Sequence, residues 1–392
     1  MNRQIKTISI EDLKNKNIII YGNGSFGTVT YKILSQYNIK VYAFANSNVI
    51  ENEYLGLPVI SPNEIKKVSN YLVLLASLNY IEQMISTLEA EDVNEYYSIS
   101  EILTHINEIP VLTDADIERS VNVWRYDVKV KSLNDNVFVW SNIDLVVSDI
   151  CNLKCNNCNS LIPHYKSPQH IDASYIIKCF DRFLSAIDVL LELRILGGEP
   201  FLYPELDKLI RYYSENKKVL HIKIYTNSTI IPNDNVIQNL KNNKIIVHLS
   251  NYGSVSKKID ELTKIFKANN INYYRHDYLQ WVDIGGLENR NYSNEKLKEV
   301  FALCTDKNCP SFYRGKLYVC PRAAHGEFLG YFKNSKNEAV DFSEEKFDVI
   351  KIRNILKKFT DRDYFQVCRY CDGFNENSLK SAAGSQKRMR TD

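Results

Sequence analysis

No apolar run in this 392-residue chain approaches the roughly 20 residues that a membrane-spanning helix needs, so a helical membrane protein is not expected. The opening "MNRQIKTISIEDLKNKN" lacks the apolar segment of a secretory signal, and the expected location is the cytoplasm. Charge of one sign is missing too: 49 Lys and Arg stand against 47 Asp and Glu, leaving no net field to favour nucleic acid or an anionic membrane surface. Internal repeats and low-complexity tracts are absent, and the basic ending "SQKRMRTD" reads as a frayed terminus. What remains is a globular composition, 44% hydrophobic and 24% charged, long enough for two or three domains with separate cores.

A fourth cysteine is the next thing lacking. "SDICNLKCNNCNSL" places Cys151, Cys155 and Cys158 within eight positions, with no further thiol beside them. In a reducing compartment an uneven cluster of cysteines points to metal or to chemistry rather than to disulfides. A structural zinc or a closed electron-transfer cluster would use four ligands, whereas three thiolates hold three corners of a four-iron four-sulfur cluster and leave one iron open to chelate a substrate.

Around this loop the chain alternates between strand-like and helix-like segments, which predicts an α/β fold. "NKNIIIYGNGSFGTVTYKILSQYNIKVYAFANS" reads strand, glycine turn, helix, strand, with Ile18 to Tyr21 buried and a helix from about Ser25. With "YLVLLAS" and "EYYSIS" it gives a Rossmann-like parallel sheet over residues 1–105. A polar connector follows over 106–140, with a helix expected around Asp114 to Tyr126. A second alternation, "NIDLVVSD", "LLELRILGG", "VLHIKIYTNS", "KIIVHLSNY" and "NINYYRHDY", fills 141–295 and suits a partial (β/α)6 TIM-type barrel with its chemistry at the strand C-termini. The cysteine triplet follows the first of these strands. Residues 296–392 form a small cysteine-rich module, opening with a hairpin that turns at Gly315.

"CNLKCNNC", in its C-x3-C-x2-C spacing and its place after the first barrel strand, resembles the radical S-adenosylmethionine (SAM) superfamily. "LGGEP" after the next strand is similar to that superfamily's GGE motif, with Gly197 and Gly198 letting the backbone approach the ligand closely and Glu199 holding the methionine amino group. The resemblance further implies SAM contacts at Thr226, Asn227 and Ser228 in "YTNS" and at Ser250 and Asn251 in "LSNYG". Asn157 departs from the family pattern, which has an aromatic residue before the third cysteine. The implied cofactors are a SAM-binding 4Fe-4S cluster on Cys151, Cys155 and Cys158, and SAM itself. The implied chemistry is reductive cleavage of SAM to a 5′-deoxyadenosyl radical that takes a hydrogen from substrate, with flavodoxin or ferredoxin as electron donor.

In the tail, Cys304-x10-Gly315-x4-Cys320 and the Cys368-x2-Cys371 pair resemble the SPASM module or its shorter form, twitch, which implies a second, auxiliary 4Fe-4S cluster on Cys304, Cys320, Cys368 and Cys371. Four thiolates with one CxxC pair would equally satisfy zinc. The spare thiol by this match is Cys309, a candidate hydrogen donor for radical epimerisation; Cys309 as ligand with Cys304 spare is the alternative, as is a spare that only packs. Cys179, at helical spacing from Ile176 and Phe183, reads as a core thiol. "RHDYLQWVDIGG" carries His276, Trp281 and Asp283 either toward the barrel mouth or into a packed loop.

"GNGSFG", with Gly22, Gly24 and Gly27, fits a diphosphate-binding turn between strand and helix. Asn46 stands where a ribose-binding acid would be expected, which speaks against NAD. The run that follows resembles small Rossmann domains fused to sugar-modifying transferases; it would hold a nucleotide-sugar diphosphate or serve only for docking. "GKLYVCPRAAH" and "CRYCDGFNENSLKSAAGSQ" resemble radical SAM proteins of polysaccharide and sugar-modification clusters. The expected function is therefore hydrogen abstraction from a sugar or nucleotide-linked sugar, for epimerisation, dehydrogenation or dehydration. A peptide- or protein-modifying radical SAM enzyme and a non-catalytic iron-sulfur scaffold are the alternatives.

Overall fold

The computed structural model describes residues 8–49, 51–77, 80–103, 105, 137–332, 338–344, 347–373 and 378–387. The helix expected around Asp114 to Tyr126 lies outside the described residues. The chain divides into two units, Met1–Leu133 and Asn134–Asp392, and its fold is α/β with mixed, mainly parallel sheets. Among the described residues no helix is long and apolar enough to cross a membrane.

In the first unit, strands β1 (Asn17–Tyr21), β2 (Val41–Ala45), β3 (Glu53–Tyr54), β4 (Leu57–Ile60), β5 (Tyr71–Leu75) and β6 (Tyr96–Ser98) form one sheet in the order β3-β4-β2-β1-β5-β6. Every neighbouring pair is parallel except β3 with β4. Strand side chains alternate between faces: Ile18 and Ile20 pack with Val29 and Ile33 of helix Ser25–Gln36, while Ile19 and Tyr21 pack with Ile85 and Leu88 of helix Ile81–Ala90. Both faces are thus covered, as a parallel sheet requires.

The second unit is built on strands β7 (Val139–Val146), β8 (Val189–Leu196), β9 (Val219–Thr226), β10 (Ile245–Asn251) and β11 (Tyr273–Asp277), side by side and parallel. Beyond them come β12 (Gln280–Val282), β13 (Ser311–Tyr313), β14 (Lys316–Tyr318), β15 (Val340–Asp341) and β16 (Lys380–Ala382). The sheet runs β11-β10-β9-β8-β7-β13-β14-β15, so the cysteine-rich tail supplies the sixth parallel strand and sets it against the first strand of the series. Arg314 and Gly315, both left-handed at φ 49° and 79°, make the tight turn between β13 and β14. β12 and β16 pair antiparallel in a separate two-stranded sheet.

One face of the series is apolar. Leu193, Ile195, Ile222, Ile224, Val247 and Leu249 pack against helices such as Ala173–Ser185, which buries Ile176, Cys179, Phe180, Phe183 and Leu184 at helical spacing and is capped by the Asp172 side chain. Cys179 is a fully buried core thiol. The residues between, on the opposite face, are charged. Glu192 meets the Arg194 guanidinium at 2.6 Å and the Lys223 ammonium at 3.3 Å, and Arg194 reaches Asp144 at 3.7 Å. Burial alone would raise the Glu192 carboxyl, but Lys223 and Arg194 reverse this and hold it at about 2. For Asp144 the nearby Arg194 offsets only part of the burial, which pushes its carboxyl to about 7, and its Oδ1 has no hydrogen bond.

Because the Asp144 carboxyl titrates near 7 in the fold against an ordinary 3.8, it favours folding below 3.8 and loses that contribution as the pH rises through 7. Asp144→Asn has no such titration. Its melting midpoint, compared with the parent by circular dichroism, is expected to gain between pH 5 and pH 8; a constant difference across that range would remove Asp144 as the source.

Candidate active site

The loop carrying Cys151, Cys155 and Cys158 leaves the C-terminal end of β7 and is held to the turn that follows β8. Gly198 N–H donates to the Ser148 carbonyl at 2.7 Å, and Glu199 N–H donates to the Ile150 carbonyl at 2.9 Å. Two glycines are needed for this approach. A β-carbon on Gly197, at φ 149°, would lie 2.4 Å from the Ser148 carbonyl oxygen, and one on Gly198 would lie 2.0 Å from that of Ile150. The close approach that these glycines permit is therefore to the chain entering the cysteine loop. On the other side, Asp149 is buried and accepts from Tyr313 at 2.9 Å and from Arg314 at 2.8 Å, which ties the same segment to the hairpin of the tail.

Burial raises all three thiols, and their neighbours add to it at Cys151 and Cys155. Burial, then the neighbouring Glu199 and the other two thiols, pushes Cys151 to about 12. Burial likewise pushes Cys155 to about 11 and raises Cys158. Thiols so placed ionise only beside a strong positive charge, which a metal cluster supplies.

Glu199 is fully buried. Its Oε1 accepts from Phe201 N–H at 3.0 Å and from the Thr226 hydroxyl at 2.8 Å, and its Oε2 accepts from Asn227 N–H at 2.8 Å. Burial still lifts the carboxyl to about 7 against these bonds, so a cationic partner would be needed to fix its charge, and one lone-pair direction remains for it. Ser228, also buried and strained at φ 60°, has a hydroxyl without a hydrogen-bond partner. Asn227 donates to the Cys151 sulfur at 3.6 Å. Ser250 is buried at the end of β10, whereas the Asn251 side chain turns to Asp277 at 2.6 Å. The turn after β9 and the end of β10 are clamped by Ser256, whose hydroxyl lies 2.8 Å from the Asn227 carbonyl and 3.0 Å from that of Ser250.

None of the nine cysteines, all of them among the described residues, is in a disulfide. In the tail, Cys304, Cys320, Cys368 and Cys371 line one pocket together with Asp306 and Arg322. Cys320 accepts from Ala323 N–H at 3.4 Å and Cys371 from Gly373 N–H at 3.3 Å. Arg322 is buried and spends one guanidinium nitrogen on the carbonyls of Gly285, Gly286 and Tyr370, while its Nε has no partner. Cys309 is not among the lining residues; its sulfur lies 3.6 Å from Arg194, and burial and then Asp144 raise its thiol. Among the described residues no three His, Cys, Asp or Glu side chains converge on a point where one metal ion could sit.

His276 and Trp281 stand at the two ends of a row of rings that runs through Tyr278 and Tyr252. His276 joins a cluster of rings with His248 and Tyr278, whereas Trp281 packs edge-on against Tyr252 in the β12–β16 pair. Asp283 accepts from Gly285 N–H. In the first unit, Gly22 (φ 113°) and Gly27 are forced by backbone proximity, Gly24 faces open space, and the Asn46 side chain bonds Asn23 within the glycine turn. The charged face of β8 and β9, the Ser256 clamp and the bond from the Gln386 amide to the Cys155 sulfur escaped the sequence reading. Only the first left a signal, in the alternate charges of "LELRIL" and "HIKIYT".

Comparison with known proteins finds the Radical SAM superfamily over residues 145–316 and the family described as C2185-like, N-terminal, over residues 14–99. No curated protein matches. Solved structures that match include histidine-tagged anSMEcpe with bound AdoMet (22% identity over 36% of this chain and 42% of that chain, TM-score 0.31). Streptococcus suis SuiB bound to S-adenosylmethionine matches at 20% identity over 50% of this chain and 44% of that one, TM-score 0.29. BtrN in complex with AdoMet and 2-DOIA matches at 16% identity over 63% and 97%, TM-score 0.36. The chain thus spans less than half the length of the first two. The cofactors of the matched superfamily are a 4Fe-4S cluster and S-adenosylmethionine, and the residues present fit them: three thiols on one loop, Cys155 buried and Cys151 and Cys158 half-buried, a buried carboxylate short of a cation and an unpartnered Ser228 hydroxyl. Residues 145–316 match the radical SAM superfamily.

Proposed function

We propose that this chain is a radical SAM enzyme acting on a sugar or nucleotide-linked sugar, by epimerisation, dehydrogenation or dehydration, in the cytoplasm with a flavodoxin or ferredoxin as electron source. The observation that carries the reading is the pairing of a three-thiol loop with the Gly-Gly-Glu turn through two backbone hydrogen bonds. When bound, the reduced cluster and SAM together supply a 5′-deoxyadenosyl radical able to remove an unactivated hydrogen. Cys151, Cys155 and Cys158 would hold the cluster, leaving one iron for SAM. Glu199 would take the methionine ammonium, and Thr226, Asn227, Ser228, Ser250 and Asn251 would position the remainder. Ion-paired Glu192, Arg194 and Lys223 supply a polar wall suited to a hydroxylated substrate.

Cys304, Cys320, Cys368 and Cys371 are read as ligands of an auxiliary 4Fe-4S cluster in a twitch-like module, with Arg322 as the adjacent positive charge. The first unit, read as Rossmann-like, would take a diphosphate at Gly22, Gly24 and Gly27 or serve as a docking surface. Cys309 is read as the hydrogen donor for inversion, since a raised thiol keeps its S–H hydrogen at neutral pH. The deciding experiment is anaerobic turnover with a panel of nucleotide sugars in heavy water, read by mass. Gain of a single deuteron marks epimerisation, loss of two hydrogens oxidation, and loss of water dehydration; no change in any sugar while peptides are modified would overturn the sugar assignment.

Replacing Cys151, Cys155 and Cys158 together by Ala is expected to abolish 5′-deoxyadenosine formation and leave about four irons per chain in the tail; zinc in place of that iron would end the auxiliary-cluster reading. Glu199→Gln should weaken SAM binding by roughly 1.5–3 kcal/mol, the worth of a charge-assisted hydrogen bond, and equilibrium dialysis would show it. For Cys309→Ala, iron content and substrate-dependent 5′-deoxyadenosine should persist while the inverted product disappears. A loss of about four irons would instead make Cys309 a ligand.

A further inference from the structure

The chain returns to the cysteine loop from more than two hundred residues away. After β16 pairs with β12, Gly384 turns at φ 66° beside Tyr252, where a β-carbon would lie 2.6 Å from the Tyr252 Cβ. Ser385 to Lys387 then lie antiparallel along Lys154 to Asn156. Asn156 N–H donates to the Ser385 carbonyl and Lys387 N–H to the Lys154 carbonyl, both at 2.7 Å, with Cys155 opposite Gln386. The frayed terminus expected from the sequence is therefore an ordered strap as far as Lys387.

Gln386 sits at the centre of this strap and completes the loop's hydrogen bonding. Its Oε1 accepts from Lys154 N–H at 2.8 Å, and its Nε2 donates to the Gly384 carbonyl at 2.6 Å and to the Cys155 sulfur at 3.2 Å. The amide orientation is fixed by its neighbours: a flipped group would set its NH2 against the Lys154 N–H and its oxygen against the Gly384 carbonyl. Donors aimed at a ligand sulfur stabilise the extra negative charge of a reduced cluster and raise its potential, and outer-shell partners of this kind orient the ligand itself.

We propose that Gln386 is a positioning residue for the cysteine loop, holding Cys155 in place and raising the reduction potential of the cluster there through its Nε2–H···Sγ bond. This rests on the reading that Cys151, Cys155 and Cys158 bind that cluster. Gln386→Glu keeps the acceptor for Lys154 and removes the donor to Cys155; Gln386→Met removes both without adding charge. In the full reconstituted chain, the cluster whose electron paramagnetic resonance signal changes on SAM addition is titrated with a reductant. Iron per chain should be unchanged, and the equilibrium constant for reduction should fall roughly tenfold in Gln386→Glu, a shift of about 59 mV to more negative potential for one electron, with Gln386→Met in between.

Parent-like potentials in both variants would overturn the role. If Gln386→Glu does not assemble, Gln386→Met alone decides. An independent readout needs no cluster: amide exchange at Lys154 and Asn156 should be slow in the full chain and fast in a chain ending at Gly384, and equal rates would show that the strap does not hold the loop. A parent protein with no SAM-responsive cluster would defeat the underlying reading instead, which separates the two failures.

Discussion

A β-carbon on Gly198 would lie 2.0 Å from the Ile150 carbonyl oxygen, and no adjustment of a side chain relieves a clash between two backbones. This steric constraint fixes everything built on it. It lets the turn after β8 and the exit of β7 hydrogen-bond to each other at 2.7 and 2.9 Å. That contact in turn sets the Glu199 carboxylate beside the first cysteine and within reach of the amides that follow β9. Three consecutive strand ends thereby become one surface, and the thiols, the carboxylate and the Ser228 hydroxyl occupy it together.

The same sheet supports two environments because a strand alternates its side chains. Outward positions feed an unbroken apolar core under the helices. Inward positions carry Asp144, Glu192, Arg194, Lys223 and His248, all withdrawn from water and joined by ion pairs or ring contacts. The ion pairs settle Glu192 as a carboxylate, while His248 is driven neutral, to about 3, first by burial and then by Lys223. A polar interior of this kind is costly without a partner for each group, and Asp144 Oδ1 and His248 Nδ1 are both left without a hydrogen bond.

Local pattern made much of this legible. The cysteine spacing, the glycine pair, the apolar runs of the strands and the turn at Gly315 each depend on residues a few positions apart, and the structure sets them at neighbouring strand ends or in the turn. What escaped depends on distance in sequence. Nothing in "SFYRGKLY" announces that Ser311 will pair with Asp144, because a short strand chooses its neighbour by tertiary packing. Ser256 and Gln386 act through single hydrogen bonds to partners far along the chain, and one polar residue in a loop carries no periodicity. The charges on β8 and β9 were visible as alternation, but alternation in a parallel series buried on both faces is easily taken for a solvent face.

The separation of 231 residues between Cys155 and Gln386 also has a temporal meaning. At a synthesis rate of about 5–20 residues per second, the nascent cysteine loop leaves the ribosome roughly 10–50 s before the residues that complete it. During that interval Lys154 and Asn156 have no strap to bond, and the Cys155 thiol between them lacks its Gln386 donor. The hydrogen bonding of the cysteine loop is therefore completed only when the downstream segment has been made.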